Sequence, residues 1–98
     1  MLLTPAEIEL ALRSLPDWTS DGKSLRRTDT FPGFPEAVAF VNRLVGPAEA
    51  QRHHPDISIS YNRVTLSLTT HDAGGLTAKD LALARVLSGG QLTGGSAP

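Results

Sequence analysis

Three histidines carry most of the proton chemistry that this chain of 98 residues can offer. Two stand side by side in the stretch RHHPDIS, His53 and His54 ahead of Pro55, and the third is His71. Imidazole is suited to acid–base work because its free-solution pKa of ~6.5 lets it both give and take a proton near neutrality. Cysteine is absent, which excludes disulfides, thiol nucleophiles and cysteine-based zinc sites. Three imidazoles and a water would suffice for an open zinc site, but the paired H-x-x-x-H spacing is missing and adjacent histidines share a metal poorly. Zinc is therefore the minor reading, beside metal-free acid and base catalysis and an ordinary surface or structural role for the histidines. Glu49 lies four residues before His53, so a helix running through both would put a carboxylate on the same face as that imidazole. Pro55 biases His54 away from helical geometry, so the pair marks the exit of a helix into a strand.

The elements that must hold these residues are legible from period and punctuation. LTPAEI carries a complete helix start, with Thr4 as cap, Pro5 in the first turn, Glu7 to return the capping bond and Leu3 to staple against Ile8, and predicts a helix over 5–14. Pro16 stops it. Thr19 and Ser20, an Asp21-Gly22 turn and a return strand from Leu25 to Phe31 read as a hairpin. A second helix starts near Pro35, its apolar face formed by Ala37, Phe40, Val41, Leu44, Val45 and Ala48 at helical spacing. Pro47 lacks the N–H that would bond the carbonyl of Arg43, so a kink or two helical pieces is expected there, with Glu49 to His53 on the second piece.

After Pro55 the period becomes two. Ile57, Ile59 and Tyr61 alternate with serines, and after a connection around Asn62 and Arg63 come Val64, Leu66 and Leu68 alternating with Thr65, Ser67 and Thr69. Trp18 and Tyr61 are expected in core or sheet packing. Thr77, Asp80 and a Leu76 to Leu81 staple repeat the capping device for a third helix ending near Leu87; that role is a sufficient structural reason for Asp80. The Gly- and Ser-rich residues 89–98 read as a flexible tail after a domain of residues 1–88. The order α-β-β-α-β-β-α makes this an α+β fold, a single two-layer domain with a four-stranded antiparallel sheet and helices on one face. Pairing residues near 57 with residues near 69 brings His53, His54 and His71 to one end of that sheet, with His71 on the polar side by strand parity. A lone histidine is ordinarily a surface or structural residue; three that converge argue for a site.

Composition narrows the function class. Nine basic and ten acidic residues leave a formal charge of -1, so neither nucleic acid nor an anionic membrane is an expected partner. The first residues lack the basic and apolar regions of a secretory leader, and no run of about 18 apolar residues occurs. A cytoplasmic location is the expectation.

Glu49, His53-His54-Pro55, Tyr61, His71 and Asp80, with their intervening spacings, resemble the signature of the pterin-4a-carbinolamine dehydratases. The resemblance extends to LPDW, FPGFPEAVAFVNR and YNRVTLSLTTHDAGGLTAKDLALA, and so covers the chain from about residue 6 to 87. It implies dehydration of a 4a-hydroxytetrahydropterin to quinonoid dihydropterin and water, in the recycling of tetrahydrobiopterin, without metal or redox cofactor. It assigns catalysis to His53, His54 and His71; within that set the neighbouring Glu49 favours His53 as the acid, with His71 an alternative acid and His54 gripping the pterin or accepting its proton. Contacts to the pterin fall on Glu49, Arg52, Thr69, Thr70 and Asp72, although both threonines also suit ordinary strand positions. Dimers or tetramers are implied as well. The competing reading is a non-catalytic binding, assembly or coactivator-like module that has kept the fold.

Overall fold

The structure is a computed structural model and describes residues 1–88, so the tail expected at 89–98 lies outside the described residues. Helix α1 spans Pro5–Leu12, strand β1 Thr19–Ser20, β2 Leu25–Thr30, α2 Phe34–Gln51, β3 Asp56–Ser60 and β4 Arg63–Leu68. A 3-10 turn at His71–Ala73 and helix α3, Ala78–Ser88, complete the order. The expected α+β sequence of elements is present, and the sheet is four-stranded and antiparallel in the order β1-β2-β4-β3.

Local chemistry accounts for the ends of these elements. The capping box closes as expected: the Thr4 amide donates to Glu7 Oε1 and the Glu7 amide to Thr4 Oγ1, satisfying two N-terminal donors that the helix itself cannot. In the β1–β2 turn the Asp21 carboxylate accepts from the amides of Lys23 and Ser24, and Gly22 adopts φ +96, a conformation that glycine enters at little cost. Helix α2 runs through Pro47 as one helix instead of two pieces; the proline forfeits one ladder bond, and the burial of Ala37, Phe40, Leu44 and Ala48 along the same face outweighs it. Val45, expected on that face, is exposed.

Strand β4 alternates as its sequence requires, with Val64, Leu66 and Leu68 fully buried against Leu25 of β2 and the inward residues of the three helices in one continuous core. Strand β3 does not. All five of its residues are exposed, because it is an edge strand and an open groove separates Ile57 from Leu44, Val45 and Ala48 of α2. Its hairpin turns at Tyr61 and Asn62, one residue earlier than expected, so that Ser60 faces Arg63 and Ile57 faces Leu66. Tyr61 is thereby placed at the hairpin tip with φ +56, exposed instead of packed in the sheet. Trp18 is buried as expected, its indole N–H donating to Ser88 Oγ.

Candidate active site

The end of α2 aims the first histidine. Arg52 leaves the helix in the left-handed region at φ +52 and ψ +39; its amide bonds the carbonyl of Glu49, and the amide of His53 reaches back to that of Ala48, both at 3.1 Å. This pair of bonds is the usual C-terminal closure in which a left-handed residue turns the chain off the axis. His53 is therefore outside the helix, and the expected pairing of Glu49 with His53 at helical spacing does not form. His54 takes that carboxylate instead, with Nε2 2.5 Å from Glu49 Oε2, both side chains exposed.

His53 turns inward to a partner 27 residues away. Its Nε2 lies 2.5 Å from Oδ1 of Asp80, and Asp80 is completely buried while His53 is 11% exposed. The other Asp80 oxygen accepts from Thr70 Oγ1 at 2.8 Å and from the Thr77 amide at 2.9 Å. Asp80 is thus the capping residue of α3 that its spacing predicts and, in addition, the support behind His53. The sequence reading gave it only the first role.

The third histidine arrives by a tight loop. After β4 the chain makes a two-way amide–carbonyl pairing between Thr70 and Gly75, and the 3-10 turn between them carries His71 and Asp72. His71 is therefore on a turn, where the alternation of β4 no longer governs its direction. It is largely exposed, and its Nε2 is 4.0 Å from Asp56 Oδ2.

These segments enclose an open hollow of about 390 Å³ lined by all three histidines together with Arg52, Thr69, Thr70 and Asp72. That volume falls within the range of roughly 300–1,000 Å³ usual for small-molecule sites. Of the residues expected at the site, only Glu49 is outside this lining; it sits on a neighbouring apolar groove and reaches the hollow through His54. Two of the expected contacts have their hydroxyls engaged within the protein, Thr69 donating to the carbonyl of Lys23 and Thr70 to Asp80. Asp56 and Lys79, also on the lining, were not anticipated. Among the described residues no group of three or more His, Asp or Glu side chains is arranged to hold a metal ion, and no helix is long and apolar enough to cross a membrane.

The hollow thus offers one imidazole fixed from behind by a buried carboxylate, two exposed imidazoles facing water, and charged groups of both signs at the rim. Such an arrangement can protonate one atom of a bound molecule and deprotonate another. Comparison with known proteins gives this chemistry a family context. The family model for pterin 4 alpha carbinolamine dehydratase matches residues 1–89. A protein of Thermosynechococcus vestitus that carries the same family name is 58% identical over 86 residues, covering 88% of this chain and 90% of that one. The crystal structure of a transcriptional coactivator/pterin dehydratase from Brucella melitensis superposes with a TM-score of 0.81 at 35% identity, covering 91% of this chain and all of the other. A pterin dehydratase-like protein described as a RuBisCO assembly factor of the alpha-carboxysome shares the fold, with a TM-score of 0.57 at 18% identity over 72% of this chain and 82% of its own.

Proposed function

Because this chain belongs to the pterin-4-alpha-carbinolamine dehydratase family, we propose that it removes water from a 4a-hydroxytetrahydropterin and releases the quinonoid dihydropterin. The observation that carries this reading is the meeting of His53, His54 and His71 on one hollow, with buried Asp80 behind His53.

The reaction breaks the bond between the 4a carbon and its hydroxyl. The lone pair of the adjacent ring nitrogen forms the new C=N bond as the hydroxyl departs, and that nitrogen then loses its proton. Two groups suffice: an acid that converts the hydroxyl to water as it leaves, and a base that accepts the ring N–H. His53 is the acid, since it alone is oriented by a buried partner. His54, exposed and bonded to Glu49, holds the ring and accepts its proton, while His71 and Asp72 close the rim. Arg52 supplies hydrogen bonds to the polar edge of the heterocycle. Positioned proton transfer of this kind is worth roughly 10²–10⁴-fold, an appropriate scale for an adduct that already breaks down unaided.

The unpaired outer edge of β3, beside exposed Val45, Ile57 and Ile59, supports assembly of copies by sheet joining and helix packing. Catalysis and a purely binding role separate in one assay, in which 4a-hydroxytetrahydropterin is generated enzymatically and its decay followed with and without protein. Acceleration by the native chain that is lost in His53→Ala supports the dehydratase reading. Decay at the buffer rate in the presence of native protein refutes it and leaves the binding module.

A further inference from the structure

We infer that Thr70 and Thr77 are positioning residues that fix the tautomer of His53, so that its Nδ1 is the nitrogen that exchanges a proton with the bound molecule. The reasoning starts from donor counts. A carboxylate only accepts, and a hydroxyl has a single hydrogen to give. Thr70 Oγ1 gives its hydrogen to Asp80 Oδ2; at its 2.7 Å contact with Thr77 Oγ1 it must therefore accept, and Thr77 must donate. Thr77 Oγ1 in turn accepts from the Lys79 amide. A directed chain results, running from the Lys79 amide through the two hydroxyls to Asp80, where the Thr77 amide adds a second donor on the same oxygen.

This chain leaves Asp80 no freedom. Oδ2 is held by two donors and Oδ1 faces the imidazole, inside a residue with no exposure to water. Turning the carboxylate would strand the Thr70 hydroxyl and the Thr77 amide in the interior, which is the expensive way to lose a hydrogen bond. His53 Nε2 must then be a donor in both charge states of the ring, and the proton that comes and goes is the one on Nδ1. Nδ1 makes no hydrogen bond among the described residues, yet the only buried side-chain nitrogen or oxygen there without a partner is Arg43 Nε. Nδ1 is consequently reached by solvent, and the solvent beside His53 is that of the hollow.

Thr70 therefore acts through Asp80 as well as lining the hollow, and Thr77 acts at one further remove. The kinetic part of this inference rests on the dehydratase reading; the tautomer does not. Its test is a long-range ¹H–¹⁵N correlation spectrum of histidine-labelled full-length protein, with His53 assigned by its absence in His53→Gln. The native spectrum is expected to show His53 protonated on Nε2 when neutral, with a hydrogen-bonded Nε2 proton protected from exchange. In Thr70→Val that proton should exchange quickly and the dehydration rate at saturation fall on the order of tenfold, the lower end of what is lost when a partner behind a functional imidazole is removed, with KM nearly unchanged. Thr70→Ser should restore both. A neutral His53 carrying its proton on Nδ1 overturns the inference, and so does a Thr70→Val protein that is less stable but keeps the native Nε2 signal. If the native protein shows no dehydration at all, the spectra still decide the tautomer while the function falls separately.

Discussion

Replacing Asp80 by Asn changes one atom behind His53 and tests how the imidazole is held. In the native protein Asp80 meets three donors: the Thr70 hydroxyl and the Thr77 amide on Oδ2 and His53 Nε2 on Oδ1. Asparagine has one accepting oxygen and one donating nitrogen. Its oxygen will face the two donors on the threonine side, because the opposite flip would set its NH₂ against the fixed Thr77 amide. The NH₂ then points at His53 Nε2, which must accept, and the ring proton moves to Nδ1. The fold should survive, since both capping bonds of α3 remain; exchanging charge-assisted for neutral hydrogen bonds costs about 1–2 kcal/mol. Activity should fall much further, by about 10²–10³-fold, because a ring with Nε2 opposed to a donor cannot supply the protonated acid. Stopped-flow decay of enzymatically generated 4a-hydroxytetrahydropterin, read beside a urea unfolding curve, separates the two effects. An Asp80→Asn protein with native rate and native pH profile would refute the assignment of His53 as the carboxylate-braced acid.

Further consequences follow from the same geometry. Arg52 holds a left-handed conformation at the end of α2, so Arg52→Gly should raise stability by up to about 1 kcal/mol, visible as a higher Tm, while the same variant loses pterin affinity if the guanidinium contacts substrate. Leu66, fully buried between the sheet and the helices, should lose about 2–5 kcal/mol on truncation to alanine, seen as a lowered denaturation midpoint. The amides of Lys23 and Ser24 hold the Asp21 carboxyl below the usual carboxylate range. A carboxyl favoured in its charged form by the fold contributes stability above its unfolded pKa and loses it as pH falls through its lower folded value; carbon-detected titration should place Asp21 below an unfolded peptide, and Asp21→Ala should remove that part of the acid sensitivity.

The expected architecture was readable because its signals are local. Thr4 and Glu7 recur three residues apart, Val64 to Leu68 alternate, and Asp21-Gly22 turns the chain; each needs only near neighbours to take effect. The convergence of the histidines was readable too, although the β3–β4 turn lies one residue earlier than its sequence suggested, since a shifted register still joins the same sheet ends. What failed was partner identity. Helical spacing matched Glu49 to His53, but a left-handed Arg52 ended the helix first and passed the carboxylate to His54. The contact of His53 with Asp80 joins residues from two different elements, and no pattern along the chain announces it. The capping position of Asp80 was legible, and the second use of the same carboxylate was not. The parity of β4 was carried on to His71, which follows the strand, because the Thr70–Gly75 closure that ends β4 leaves no mark in the alternation.

The central claim is that one hollow bounded by three imidazoles receives a pterin. Titrating histidine-labelled protein with a stable 7,8-dihydropterin and following all three ring signals tests it most directly. The account expects His53, His54 and His71 to shift together along one saturating curve, with His53 altered at Nδ1. Shifts confined to other surfaces, or three rings that stay unmoved while the pterin binds, would contradict it.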